Sequence, residues 1–181
     1  MAVTEHISKA FETDLDTTRT RVLQMGGLVE AQIVAAIDAF GSGESALIEQ
    51  VIENERRVNG YEVAIDGACN HIVVKRQPAA SDLRLIMGIS KIVTDLERIG
   101  DEAEKVARMA KAIHGHGGHH AQRFPAVRHA AQIAVRMLRQ GLDAFARLDA
   151  AGAADVVKED TAIDQEFTSV LRQLITYMME D

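Results

Sequence analysis

The sequence predicts an all-α protein made of tandem three-helix bundles, in which the second bundle lacks its last helix within this chain. Apolar residues recur every three or four positions along nearly the whole chain, which is the spacing of one helix face. No stretch shows the alternation of apolar and polar residues that is typical of strands. The 181 residues contain only two prolines, and short turns between long helices make neighbouring helices antiparallel.

Residues 1–114 form the first predicted bundle. Its first helix ends at the turn Gly41-Ser42-Gly43, and its second ends at Gln77-Pro78 because the residue before a proline is driven out of the α region. Either Ser81 or Asp82 caps the third helix. The apolar stripe of the first helix consists of Phe11, Leu15, Val22, Met25, Val29, Ile33, Ile37 and Phe40. That of the second consists of Leu47, Val51, Val58, Tyr61, Ile65, Cys69 and Ile72.

Residues 115–124 are predicted to form a linker rich in glycine and histidine. The histidines between His114 and His120 invite a metal interpretation, but the glycines among them fix no ligand geometry. We therefore interpret this segment as a solvated linker.

Residues 125–181 are predicted to contain the first two helices of a second bundle. Pro125 suits the first turn of a helix. The segment Ile37-Asp38-Ala39-Phe40 reappears 105 positions later as Leu142-Asp143-Ala144-Phe145, which indicates an internal repeat. In this register the counterpart of the third helix falls beyond the last residue.

Composition and charge exclude several classes of partner. The formal charge of −7 argues against the basic surface that nucleic acids and anionic membranes require. No stretch approaches the roughly 20 consecutive apolar residues of a membrane-spanning helix. The single Cys69 has no partner for an internal disulfide. The sequence therefore predicts a soluble, cytoplasmic protein that does not span a membrane.

Acidic residues recur in pairs four positions apart, and these pairs are the candidate metal ligands. The candidate pairs are Glu62 with Asp66, Glu97 with Asp101, and Asp160 with Asp164. Two carboxylates at this spacing lie one turn apart on a helix face, where their repulsion costs a few tenths of a kcal/mol, and a bound cation would reverse that cost. Carboxylate-rich ligation suits Mg, Mn or oxidised Fe, and suits Zn less well.

The neighbourhood of these pairs allows two interpretations. On the second helix Glu55 and Asn59 continue the line of Glu62 and Asp66, and the repeat register places Asp160 and Asp164 at the positions of Glu55 and Asn59. A mid-helix glycine such as Gly100 points to a close backbone approach or a site. Alternatively the acids form a solvated face neutralised by arginines, the nearest being Arg56, Arg57 and Arg98. The sequence leaves both open.

Four segments together resemble the PhoU family of phosphate-transport accessory and regulatory proteins. They are residues 25–30 (MGGLVE), 58–66 (VNGYEVAID), 76–84 (RQPAASDLR) and 96–101 (LERIGD). The resemblance implies two tandem three-helix bundles with ExxxD metal motifs. It also implies a cytoplasmic negative regulator of phosphate uptake and of the phosphate-starvation response, which couples the ATPase of a phosphate ABC transporter to a phosphate-sensing histidine kinase.

The family's functional residues carry over unevenly. Glu62, Asp66, Glu97 and Asp101 match the motifs of the first repeat, whereas Asp160 and Asp164 match only one wall of the second. The resemblance therefore implies a divalent or trivalent metal ion, whether Fe, Mn, Mg or Zn, in the first bundle.

Two other functional classes remain as alternatives. A carboxylate-bridged di-metal enzyme would need the Glu-x-x-His motifs that this chain lacks, and no nucleophile, phosphate loop or nucleotide signature supports catalysis, so we expect no enzyme. The second alternative is a metal-free helical interaction module, which metal analysis of the purified protein would distinguish from a metal-binding regulator.

Helices four and five are also predicted to drive self-association. Their apolar seams run through Ile133, Met137, Phe145, Ile163, Phe167, Val170 and Leu174. Because two helices cannot bury both seams, we expect an exposed apolar strip and a homo-oligomer, most simply a dimer.

Overall fold

The computed structural model describes residues 2–115 and 125–180, and it confirms the all-α prediction, since no strand occurs in these two ranges. The helices are α1 Ala2–Ser42, α2 Ser45–Arg76, α3 Ala80–Gly115, α4 Pro125–Arg147 and α5 Ala150–Glu180. α1, α2 and α3 pack against one another as the first bundle, while α4 contacts both α5 and α1. Apart from Gly115, the predicted linker lies outside the described residues.

The turn between α1 and α2 is anchored by the end of α3. Gly43 adopts a left-handed conformation with φ 71°, and its N–H donates to the Ala39 carbonyl at 2.7 Å. The His114 ring fills the space that a side chain at Gly43 would need, and its Nε2 lies 3.0 Å from the Phe40 carbonyl. Among the histidines considered for a metal, His114 thus packs on a turn, and those at positions 116–120 lie outside the described residues.

Gln77 ends α2 as the sequence predicts. Its φ of 48° is left-handed, and its N–H donates to the Val73 carbonyl at 3.3 Å. Pro78 follows, and α3 begins at Ala80, so Ser81 and Asp82 lie within the helix and the prediction that one of them caps it is wrong. The short connection makes α2 and α3 antiparallel neighbours, which sets the acids of one helix against those of the other.

The predicted apolar stripes form the core of the first bundle. Their buried members in the main core are Val22, Met25, Val29, Val58, Ile65, Cys69 and Ile72, to which α3 adds Ile86, Ile89, Val93 and Leu96. Val51, also in the predicted stripe of α2, is buried in a second cluster. Residues Lys9–Ser42 of α1 are long and apolar enough to resemble a membrane span by composition. α1 supplies Val22, Met25 and Val29 to this core, and 44% of its apolar window is buried within the structure.

α4 docks on α1 through a glycine. A Cβ at Gly26 would lie 2.5 Å from Leu142 Cδ2, so only glycine leaves room for this leucine, whereas a Cβ at Gly27 would meet nothing within 4 Å. Ion pairs flank the contact, with Arg139 2.6 Å from Glu30. Leu142 and its neighbour Phe145 pack against the core of the first bundle. Of the two helices of the second repeat, α4 therefore packs directly against the first bundle.

α5 exposes much of its apolar face. Phe167, Leu171 and Ile175 follow one another at intervals of four residues and are 66%, 47% and 50% exposed. In α4, by contrast, Ile133 is buried. The side chain of Leu174, which the sequence places in the same seam, lies outside the described residues. The other described members of the predicted seam, Met137, Phe145, Ile163 and Val170, are half-buried. The exposed strip on α5 therefore shares only Phe167 with the prediction, and Leu171 and Ile175 extend it.

Candidate metal centre

Three carboxylates from α2 and α3 converge beside the core of the first bundle. Glu55 on α2 and the pair Glu97 and Asp101 on α3 each offer an oxygen, and these oxygens all lie within 4.8 Å of one another. Glu55 is only 4% exposed, whereas Glu97 and Asp101 are partly buried. We call Glu55, Glu97 and Asp101 the carboxylate triad.

A glutamine from α1 holds Glu55 in place. Gln32 is fully buried, and its Nε2 donates to Glu55 Oε2 at 2.6 Å and to the Gly100 carbonyl at 3.0 Å. The other oxygen, Glu55 Oε1, is buried and accepts no hydrogen bond within the described structure, and the same holds for Gln32 Oε1. Buried acceptors without partners are costly, so this arrangement leaves lone pairs suited to a cation.

Gly100 makes room for the buried carboxylate. A Cβ at this position would lie 2.7 Å from Glu55 Oε2 and 3.3 Å from Val58 Cγ1. The prediction that Gly100 marks a close approach on α3 is therefore confirmed, and the approaching group is a carboxylate.

The electrostatics of the triad favour a positive partner. Burial raises the pKa of Glu55, the hydrogen bond from Gln32 lowers it, and repulsion from Asp101, Glu104 and Glu97 raises it further. A raised carboxyl pKa means that the negative form is disfavoured where it sits. A cation between α2 and α3 would offset the repulsion among the carboxylates and compensate for the hydration that burial removes.

The predicted ligands on α2 occupy two positions outside the triad. Glu62 lies close enough to Glu97 for that charge to raise its pKa, after the larger effect of burial. Asp66 faces a different part of α3, where its Oδ1 accepts a hydrogen bond from the Ser90 hydroxyl at 2.8 Å. Of the four acids predicted for this site, Glu97 and Asp101 are thus in the triad, and Glu62 borders it.

The third predicted pair lies on the exposed face of α5. Asp160 and Asp164 are both exposed, and the only group of three converging ligand residues found in the described part of the chain is the carboxylate triad. Neighbouring Glu159 is engaged with α4, since its Oε1 accepts a hydrogen bond from Gln140 at 3.3 Å. A site at Asp160 and Asp164 stays a prediction.

Sequence reasoning did not select Glu55. The available signal was its place on the line of Asn59, Glu62 and Asp66, together with the repeat register that equates it with Asp160. Its hydrogen-bond partner Gln32, however, comes from α1, a helix that carries none of the predicted ligands.

The arginines considered as neutralising partners pair with other residues. Arg56 bonds Glu53 at 2.8 Å, Arg57 bonds Asn54 at 3.2 Å, and Arg98 lies 3.6 Å from Asp95. Lys105 does approach Asp101, at 3.6 Å, but lies nearer to Glu102, at 2.9 Å. The interpretation of the acids as a face neutralised by these arginines therefore receives no support from their contacts.

The lone cysteine is a core residue. Cys69 is buried, and burial raises the pKa of its thiol to about 11, so that the nucleophilic thiolate is scarce at neutral pH. The triad itself contains oxygen ligands alone, which suits a hard cation such as Mg, Mn or Fe.

Known proteins resemble this chain over nearly its full length. The model of the PhoU domain family matches residues 22–110 and 127–181. The phosphate-specific transport system accessory protein PhoU of Escherichia coli is 46% identical over 177 residues, covering 98% of this chain and 73% of that protein. The PhoU homolog of Pseudomonas aeruginosa is 47% identical over 180 residues, covering 99% of this chain and 74% of the other.

Solved structures share the fold. The crystal structure of PhoU from Pseudomonas aeruginosa matches with a TM-score of 0.89 at 47% identity, over 94% of this chain and 81% of that one. The phosphate transport system regulatory protein PhoU from Streptococcus pneumoniae matches with a TM-score of 0.85 over 94% of this chain and 80% of that one. At 24% identity, this second likeness supports the fold alone.

Proposed function

This chain belongs to the PhoU family, and from that membership we propose that it is an accessory protein of a phosphate-specific transport system that acts as a cytoplasmic negative regulator. In this proposal it couples the ATPase of the phosphate ABC transporter to a phosphate-sensing histidine kinase, and it represses phosphate-starvation genes when phosphate is plentiful. The supporting observation is the match to accessory proteins of phosphate transport at 46–47% identity.

We further propose that the carboxylate triad binds a metal ion. The residues fit such an ion because Glu55 presents a buried oxygen without a partner beside two further carboxylates. Fe, Mn or Mg matches the all-oxygen donors better than Zn does. When bound, the ion would neutralise the triad and link α2 to α3. Glu62 borders the triad and is the next candidate to take part.

A role in binding partners accounts for these features better than catalysis does. The described residues place no activated nucleophile beside the triad, and the one cysteine is a buried thiol. The triad also lacks the histidines that carboxylate-bridged di-metal enzymes use. We propose that the protein acts by holding partners, with the metal stabilising the bundle that they contact.

Self-association through α5 is a separate part of the proposal. Phe167, Leu171 and Ile175 form a strip of the kind that marks protein interfaces. We propose that a second copy covers this strip and that the protein acts as a homodimer.

A gene deletion tests the regulatory role. Deletion should derepress phosphate-starvation genes in high phosphate, and the wild-type gene supplied in trans should restore repression. The effect should disappear in a strain that also lacks the histidine kinase. Unchanged reporter expression after deletion would contradict the proposed regulation.

A further inference from the structure

Gln32 is a buried polar side chain of the first bundle that is not itself a candidate metal ligand. Gln32 is fully buried on α1, where its neighbours along the same stripe are the apolar core residues Val29 and Ala36. A buried amide is unfavourable in such surroundings unless its polar atoms are satisfied. Its presence therefore needs a specific partner, and that partner is Glu55.

The hydrogen bonds of Gln32 fix its orientation. Both partners of Nε2, Glu55 Oε2 and the Gly100 carbonyl, are acceptors, so the amide nitrogen must face them. One side chain of α1 thus reaches α2 and α3 at the level of the carboxylate triad. It engages one oxygen of Glu55 and leaves Oε1 without a partner.

We propose that Gln32 and Gly100 are positioning residues that hold Glu55 in the orientation in which it binds the metal. This inference rests on the proposed metal site. Gln32 donates to Oε2 from one side, and Gly100 lacks the Cβ that would displace the same oxygen from another. Glutamine also adds no charge, whereas a glutamate at this place would add a fourth negative group. The site therefore draws on all three helices of the first bundle.

A double-mutant cycle tests the role of Gln32. Mn²⁺ alone is titrated calorimetrically into the full chain as wild type, Gln32→Leu, Glu55→Ala and the double variant, and the spectrum of bound Mn²⁺ is recorded by electron paramagnetic resonance. Gln32→Leu keeps the size of the side chain and should weaken Mn²⁺ binding by about tenfold or more, as is typical when the partner of a metal ligand is removed. In the Glu55→Ala background the same change should cause no further loss.

The cycle separates positioning from general damage. Equal affinity of wild type and Gln32→Leu would overturn the positioning role while leaving the metal site intact. A loss of equal size with and without Glu55 would also overturn it, because Gln32 would then act by some route other than Glu55. A wild-type chain that takes up no Mn²⁺ would overturn the metal site and the positioning role together.

Gly100 has a matched control in the same helix. A Cβ at Gly88 of α3 would meet nothing within 4 Å, so Gly88→Ala should leave Mn²⁺ affinity unchanged. Gly100→Ala should weaken Mn²⁺ binding and alter the spectrum of the bound ion, because Glu55 must move. Circular dichroism establishes that both variants are folded, and the Gln32 cycle decides the proposal if Gly100→Ala is not. Equal Mn²⁺ affinity in two folded glycine variants would overturn the role of Gly100.

Discussion

The first bundle and α5 differ in which side chains they bury and which they expose. The first bundle buries four polar side chains, among them Gln32 and Glu55, whereas α5 leaves Phe167 and Leu171 on its surface. Three mutually packed helices can bring donors and acceptors to one point, so a buried carboxylate can be held there. Among the described helices, α5 packs chiefly against α4. The repeat register equates Glu55 with Asp160, yet of these two positions only Glu55 converges with other carboxylates among the described residues.

The contact between the first bundle and α4 should be the most sensitive to substitution. In Gly26→Ala the added Cβ would lie 2.5 and 2.6 Å from the two methyl carbons of Leu142 and 3.1 Å from its Cγ, so rotating one methyl away does not relieve it. We expect a loss of about 1–3 kcal/mol in the free energy of unfolding, as is usual for overpacked contacts. Urea denaturation measures it.

The neighbouring glycine provides the control for this prediction. Gly27→Ala meets no atom within 4 Å and should be neutral or stabilising by up to about 1 kcal/mol, since alanine favours a helix more than glycine does. If the two variants were equally stable, the close docking of α4 on α1 would be contradicted.

The exposed strip on α5 should matter for association rather than for folding. Replacing both Phe167 and Leu171 with glutamine should weaken the dimer by about tenfold or more, because each buried apolar side chain contributes about 1.5–3 kcal/mol. Sedimentation velocity across a concentration series measures the dissociation constant. Val63→Gln, at a residue of α2 that is 72% exposed, is the matched control and should leave it unchanged. A dimer unaffected by the double substitution would place the interface elsewhere.

The buried carboxylate should give the metal-free protein a small pH dependence of its own. The pKa of Glu55 is raised above its ordinary 4.5 by burial and then by neighbouring charges. The folded state therefore holds this proton more tightly than the unfolded state does. The resulting stabilisation is full below about pH 4.5 and is lost as the pH rises through the raised pKa.

Glu55→Gln isolates this contribution from that of the other acids. Without metal, the variant should be more stable than wild type at pH 7, because it avoids burying a charge, and the advantage should shrink as the pH falls towards 4.5. Urea denaturation between pH 4 and 8 with a chelator present tests it. A constant difference across that range would show that Glu55 does not titrate as its surroundings imply.

Periodicity and turn chemistry were sufficient to predict the helices. The apolar stripes, the end of α2 at Gln77 and the close approach at Gly100 follow from local sequence, because each depends on residues near one another in the chain. Which acid of α2 joins the carboxylate triad does not follow from local sequence. Glu55 lies against Gly100 while Asp66 lies against Ser90, and this antiparallel register is set by packing between helices.

The other features that the sequence did not predict depend on contacts between segments that are distant in the chain. Gln32 reaches Glu55 from a helix whose sequence pattern reads as plain core, so its role appears only once three helices are assembled. The docking of Leu142 against Gly26 likewise joins the two repeats, which the repeat pattern treats as separate units.

Metal content is the most direct test of the central claim that the carboxylate triad binds an ion. Wild type, Glu55→Ala and Glu62→Ala are purified in parallel, exposed to Mn²⁺, desalted and measured by elemental analysis. We expect desalting to strip the weakly held Mn²⁺ from Glu55→Ala, whereas Glu62→Ala, changed at a neighbouring acid outside the triad, keeps most of its metal. Wild-type metal content in Glu55→Ala would show that Glu55 does not hold the ion.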